Sequence, residues 1–299
     1  MPDPFDSVMI VDWSAASTAT SKTNRENAIW VGRHSRDARS ETHFRTRAEA
    51  EDHIRTCIET ALRNGKRSLV GFDFAFGYPA GFAARLTGSA TAAAVWHWLA
   101  NQIEDAPDNQ NNRFAVAGRI NRLFGGMGPF WSHPRGQTHE GLPARKAGID
   151  HARLGVGEFR LVEQVATGAK SVWMLCNPGA VGSQSLVGLP MIHRLSQMDG
   201  VSVWPFQPPS TPVVLAEVYP SLLSRAVNHA LHSARPTGIG KAAVKDQIQT
   251  RLLAQALFAL SKGNQLAALL HPPAGRPQNT EEGWILGAGH VAALETALA

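Results

Sequence analysis

The chain has 299 residues, of which 43% are hydrophobic and 18% charged, and a net charge of +5. A chain of that size buries a large core as one big domain or two smaller ones, and its hydrophobic content is ordinary for a soluble globular protein. No apolar run approaches the ~20 residues that cross a bilayer, the acidic start MPDPFDS has no signal-peptide pattern, and Cys57 and Cys176 form no CxxC pair, so the expectation is a cytoplasmic protein without membrane contact, disulfide framework or zinc ribbon.

In chain order, SVMIVD (7–12) is predicted as a strand and Ser14–Asn27 as a polar loop. AIWVGRH (28–34) and ETHFRT (41–46) are the next two strands, joined by the turn-like SRDARS. Over 47–64 the apolar residues Ala50, Ile54, Ile58 and Leu62 recur at helical spacing, and Gly65 supplies a stop. SLVGFDF (68–74) is a second strongly apolar strand. Beyond Gly77 the pattern is less regular. Helices are predicted at 91–105, late in 108–123, and through SLVGLPMIHRLSQ; strands at KSVWML (170–175), VSVWPF and PVVLAEVYP (212–220). Helices then close the chain at 221–232, 242–261 and 280–298. With no repeat or low-complexity linker, the expectation is one α/β domain over 1–299 with a mixed sheet, carrying a large, mainly helical insertion at about 80–200.

Three strands each carry one acid in an apolar context: Asp12, Asp73 and Glu217. An unpaired carboxylate in a core costs several kcal/mol, so each needs a hydrogen-bonded partner or a metal. If the strands run side by side in parallel, Asp12 and Asp73 meet at their carboxyl ends, where open α/β sheets place their chemistry. Like charges that close repel, and Mg²⁺ or Mn²⁺ between hard oxygen ligands relieves the conflict. Either aspartate taken alone can equally cap a turn; Glu217, inside VVLAEVYP, fits a turn poorly.

Three strands, a helix and a strand, then an insertion, a late strand and a C-terminal helix is the order of the ribonuclease H-like fold. The phrases VDWSA, GFDFAFGYP, AEVYPS and EEGWI resemble a family of uncharacterised bacterial proteins predicted to be nucleases with that fold. The resemblance covers about 7–79 and 212–290. It implies metal-holding acids at Asp12, Asp73 and Glu217, and a further catalytic acid near the C-terminus, at Asp246 or at Glu281 and Glu282. The last two can instead favour a helix N-terminus, with Thr280 as its cap. Some members of the family carry a label tying them to molybdopterin guanine dinucleotide synthesis, which keeps a nucleotide or dinucleotide ligand in view.

Substrate contacts are expected from Ser14, Arg113, Arg119, Lys241 and Lys245. TGIGKAAVK (237–245) imitates a Walker loop but lacks its strand, spacing and Ser/Thr, and serves as a loop leading into a helix. WMLCNPGAVGSQS (173–185) is a glycine loop before a helix whose N–H groups can hold a phosphate, or an ordinary connection. Basic clusters at Arg33–Arg47 and His133–Arg153, and the aromatic GPFW (128–131), suit a nucleic acid or nucleotide partner, or else a solvated face and a core-facing tryptophan. The function expected is metal-dependent phosphodiester hydrolysis; a nucleotide- or dinucleotide-binding protein of molybdenum cofactor maturation, and a non-catalytic binding protein, are the alternatives.

Overall fold

The computed structural model describes residues 3–23, 25–233, 244–271 and 281–299. Strand β1 (Ser7–Asp12) is followed by β2 (Ile29–Ser35) and β3 (Arg39–Phe44), and then by helix α1 (Arg47–Arg63). The start of α1 is set locally: the Thr46 hydroxyl accepts the Glu49 N–H and the Glu49 carboxylate accepts the Thr46 N–H, a reciprocal cap. Its buried residues Ala50, Ile54, Ile58 and Ala61 fall on one stripe. Strand β4 (Ser68–Phe72) comes next, fully buried along its length.

Helices α2 (Phe82–Thr87), α3 (Ala92–Ala100), α4 (Arg113–Leu123) and α5 (Gly182–Ser196) belong to the insertion. It is helical at its two ends. Between Leu123 and Gly182 the chain runs mostly through turns, with a short 3-10 turn at Val162–Gln164. The expected strand at 170–175 does not form; Met174 makes a single bridge to Trp131. The apolar run is buried instead by aromatic packing. Trp173 stacks on Tyr78 and meets Phe82 and Phe130 edge-on. A continuous apolar run reports burial, and burial does not require a ladder.

Strands β5 (Val201–Trp204) and β6 (Val213–Val218) return to the sheet, followed by α6 (Ser224–Ser233), α7 (Lys245–Lys262) and α8 (Leu266–Leu269). The C-terminal stretch, expected as one helix from 280 to 298, is a two-residue strand β7 (Ile285–Leu286) and a short α9 (Val291–Thr296). Gly283, Gly287 and Gly289 all take positive φ and interrupt it. Thr280 lies outside the described residues.

The seven-stranded mixed sheet has the order β3-β2-β1-β4-β6-β5, with β7 also paired to β6. β1, β2 and β3 are antiparallel; β1–β4, β4–β6, β5–β6 and β6–β7 are parallel. Side chains alternate between the two faces. Met9, Val11, Val70, Phe72, Val213 and Leu215 enter one core with α1 and the insertion. Val8, Ile10, Leu69, Val214, Ala216 and Val218 enter a second core with α7 and its neighbours.

Helix α7 reaches β1 and β2 because Gly32 leaves room. A Cβ there would stand 2.6 Å from the Thr250 carbonyl carbon and 2.8 Å from the Arg251 nitrogen. Gly32→Val is therefore expected to destabilise the protein by about 3 kcal/mol, since backbone on backbone cannot yield as a side chain can. Urea unfolding measures this; an unchanged midpoint would mean that the helix does not seat on the sheet at that position.

Candidate functional site

Parallel pairing brings the first two acids together. In the β1–β4 register Val11 faces Phe72, and the Asp73 N–H continues the ladder to the Val11 carbonyl at 3.2 Å. Asp12 shares its face with Val8 and Ile10, and Asp73 shares its face with Leu69. Both side chains thus leave the sheet on the α7 side, at the carboxyl ends of adjacent strands. The Trp13 N–H donates to Asp73 Oδ1 at 2.7 Å and fixes that carboxyl. The two carboxyl groups lie close enough to act on each other directly. Burial, then repulsion from Asp73 and Asp246, holds Asp12 well above the ordinary carboxylate range. Burial, opposed by the Trp13 N–H and reinforced by Asp246, pushes Asp73 up to about 7. A proton between two such groups occupies the place of a cation.

Asp246 is the third acid of this cluster. It is the second residue of α7, and the seating of that helix beside β1 brings it toward the pair. Burial raises its pKa, Lys245 lowers it and Glu26 raises it. All three aspartates line one cleft of about 560 Å³, together with Ser14, Arg113, Cys176, Ser183 and Gln184. Among the described residues, no three His, Cys, Asp or Glu side chains are gathered tightly enough to hold a metal ion. The described centre is a tight pair with a third carboxyl acting on both through space.

Glu217 is not part of this cluster. Its register partner on β4 is Phe72, and it alternates with Val213 and Leu215, so it points to the opposite face from Asp12 and Asp73. There it meets Arg160, which donates to both carboxylate oxygens at 2.7 and 2.6 Å, while the Phe76 N–H donates to Oε2 at 3.0 Å. The same arginine binds Glu163 at 3.0 Å and the Glu282 carbonyl at 2.9 Å. Arg160 gave no signal in the sequence, since it stands in the irregular part of the insertion.

Glu281 and Glu282 are buried and bound to backbone. Glu281 accepts the Gly81 and Ala84 N–H groups at 2.9 and 3.3 Å, and Glu282 accepts those of Ala80 and Leu161 at 2.9 and 2.7 Å. They do favour a helix start, but that of α2 rather than of the last helix. The approach is close: a Cβ on Gly77 would lie 2.0 Å from the Glu281 carbonyl oxygen.

Of the expected substrate contacts, Ser14 and Arg113 line the cleft, and Lys245 sits next to Asp246 and acts electrostatically on Asp12. Arg119 is exposed on a separate polar surface with Arg122 and Glu140. Lys241 lies outside the described residues. The aromatic GPFW does not offer a stacking face: Phe130 is fully buried and its backbone is held by the Asn121 side chain at 2.9 Å in both directions. Arg47 leaves the first basic cluster altogether and binds Asp105. Asn27, which also lines the cleft, carried no motif, while Gln184 falls in the glycine-loop segment 173–185. Comparison with protein-family models, with curated proteins and with solved structures gave no match. No described helix is long and apolar enough to cross a membrane.

Proposed function

We propose that the chain is a metal-dependent phosphodiester hydrolase with a ribonuclease H-like fold, acting at Asp12 and Asp73. The order of elements along the chain, with three antiparallel strands, a helix, a parallel strand, an insertion and a late parallel strand, supports the fold. The observation that carries the chemistry is the pair of carboxyls at the ends of two adjacent parallel strands, sharing one cleft with Asp246 and each pushed toward its protonated form by burial and by the other charges. Hard oxygen donors in that state suit Mg²⁺ or Mn²⁺ in place of the proton. Such an ion supplies charge neutralisation and Lewis acidity at a phosphoryl oxygen. Asp12 and Asp73 would hold it. Asp246 keeps the local potential negative and can take up a proton from an incoming water, while Lys245 limits the repulsion among the three acids.

The test uses the full chain with Mn²⁺ or Mg²⁺ and short DNA, RNA and dinucleotide substrates. Cleavage that a chelator abolishes is expected, with a metal-induced rise in Tm; an ion at 100 times its Kd adds about 2.7 kcal/mol. Tight binding of a dinucleotide without cleavage would move the reading to a nucleotide-binding protein, as in molybdenum cofactor maturation. Neither cleavage nor a thermal response to metal would leave a non-catalytic binding protein.

A further inference from the structure

Among the described residues three arginines are buried: Arg47, Arg113 and Arg160. Two of them meet a carboxylate fork to fork. Arg47 holds Asp105 through Nε and Nη2, both at 2.6 Å. Arg160 holds Glu217 through Nη1 and Nη2. Arg113 differs. Its Nε donates to Ser183 Oγ at 3.0 Å, and its Nη1 to Ser17 Oγ at 2.9 Å and Asn111 Oδ1 at 2.6 Å. All three acceptors are neutral. Among the described residues no carboxylate stands within ion-pair distance of it, and Nη2 makes no hydrogen bond to protein. Yet the residue is only 8% exposed and lines the cleft. Burial, with Arg47 nearby, pushes its pKa down to about 10, so it stays a cation at neutral pH. The Phe114 ring lies over the guanidinium, 4.2 Å from its carbon, and Asp105 acts on it from a distance, which offsets the charge in part; a planar fork with a free edge matches a phosphate.

A second feature meets it at the same wall. Ser183 is the second residue of α5, a helix of 15 residues that starts at Gly182 without a side-chain cap. The Gly182 N–H goes to the Met174 carbonyl and the Ser185 N–H to the Val181 carbonyl, at 3.2 and 2.9 Å. Between them, the Ser183 and Gln184 N–H groups have no protein acceptor among the described residues, and both residues line the cleft. A helix start with open N–H groups favours an anion. The Ser183 hydroxyl itself is committed, accepting from Arg113 and donating to the Leu175 carbonyl at 2.7 Å.

We propose that Arg113 and the first turn of α5 form a phosphate subsite, which holds a terminal phosphate of a nucleotide-sized substrate while its scissile ester lies at Asp12 and Asp73. The inference rests on the reading of the aspartate pair as a phosphoester site. The cleft of about 560 Å³ is of the size that encloses a small ligand.

The first probe is inorganic phosphate, titrated into the metal-free protein and followed in ¹⁵N–¹H spectra. The Ser183 and Gln184 amides and the Arg113 Nε–H are expected to shift together at millimolar phosphate. Binding should weaken roughly ten- to hundredfold in Arg113→Met, the loss of a charge-assisted fork, and survive in Asp73→Asn. Shifts confined to other amides, or unchanged affinity in an Arg113→Met protein with native Tm, overturn the subsite. Should that variant fail to fold, the wild-type spectra decide alone. A dinucleotide bearing a terminal phosphate should be cleaved at least about ten times more efficiently, in kcat/KM, than the same dinucleotide without it; equal rates overturn the assignment to a terminal phosphate. Phosphate bound at Ser183 and Gln184 without any cleavage leaves the subsite standing and removes the hydrolase. Cleavage without those shifts does the reverse.

Discussion

Asp73→Asn is expected to lower the proposed metal-dependent cleavage by about a thousandfold, the equivalent of losing some 4 kcal/mol of transition-state stabilisation at the pair proposed to hold the metal. The same substitution should stabilise the metal-free protein at pH 8 by about 2 kcal/mol, on the order of 5 °C in Tm. The asparagine keeps Oδ1 for the Trp13 N–H, which donates there at 2.7 Å, and its amide can donate to Asp12. The fold therefore loses a repulsion and no hydrogen bond. The pH dependence follows from the direction of the shift. The Asp73 pKa is raised from 3.8 to about 7, so between those values the native state binds more protons than the unfolded chain. Stability of the metal-free wild type then falls as pH rises through that window, and the raised Asp12 carries the fall further. A metal held by the pair displaces its protons, so binding should strengthen as pH rises. Thermal scans at pH 5 and pH 8, with and without Mn²⁺, read all of this. A variant that is destabilised at pH 8, or that keeps the full Mn²⁺ response, would show that the pair is not under electrostatic strain and is not where the metal sits.

The pair was legible because both of its determinants are local. Asp12 and Asp73 end apolar runs, and such runs form buried strands whose ends carry chemistry. Placing them side by side needed only the parallel pairing of two strands separated in the chain by an antiparallel hairpin and one helix, a connection with few alternatives. Glu217 looked equivalent because it too lies in an apolar strand. What separates it is register: β6 aligns Glu217 with Phe72 and not with Asp73, and a shift of one residue reverses the face. No pattern within VVLAEVYP carries that information. Arg160 was silent for a related reason. Its partners are 57 and 122 positions away in the chain, and turns without periodicity give no hint of what they bury. Asp246 was one candidate among three, and the choice depends on how closely α7 can approach β2, which a single glycine at position 32 decides.

The site draws on elements from both faces of the sheet, and this orders their roles. Helix α7 brings Asp246 and Lys245 from one side. The insertion, seated on the other side through α3 and α5, brings Arg113 and the start of α5 around the strand ends. Positioning the insertion is thus a condition for the cleft, and the buried cluster around Arg160 ties it down. Arg160 and Glu163 belong to the insertion, Glu217 to the sheet and Glu282 to the segment before β7. One guanidinium therefore joins three separate parts of the chain.

Arg160→Met should consequently be the most destabilising of the substitutions considered, by about 4 kcal/mol, because it leaves Glu217 and Glu163 buried without a counter-charge. Burial alone already raises the Glu163 pKa against the pull of Arg160, so removal of the arginine should drive Glu163 toward protonation. The loss of stability then grows with pH, since uptake of a proton at Glu163 relieves the mutant and high pH denies it. Glu217→Gln is the milder partner change. It keeps an oxygen for the Phe76 N–H, and Arg160 keeps Glu163, so a cost of about 1–2 kcal/mol is expected. Its value lies in what it should not do. A structural glutamate on the opposite face of the sheet leaves the Mn²⁺-induced rise in Tm unchanged, whereas a metal ligand removes it. Glu217→Gln with native stability and no response to Mn²⁺ would return this residue to the metal site and require the sheet register to be wrong by one position.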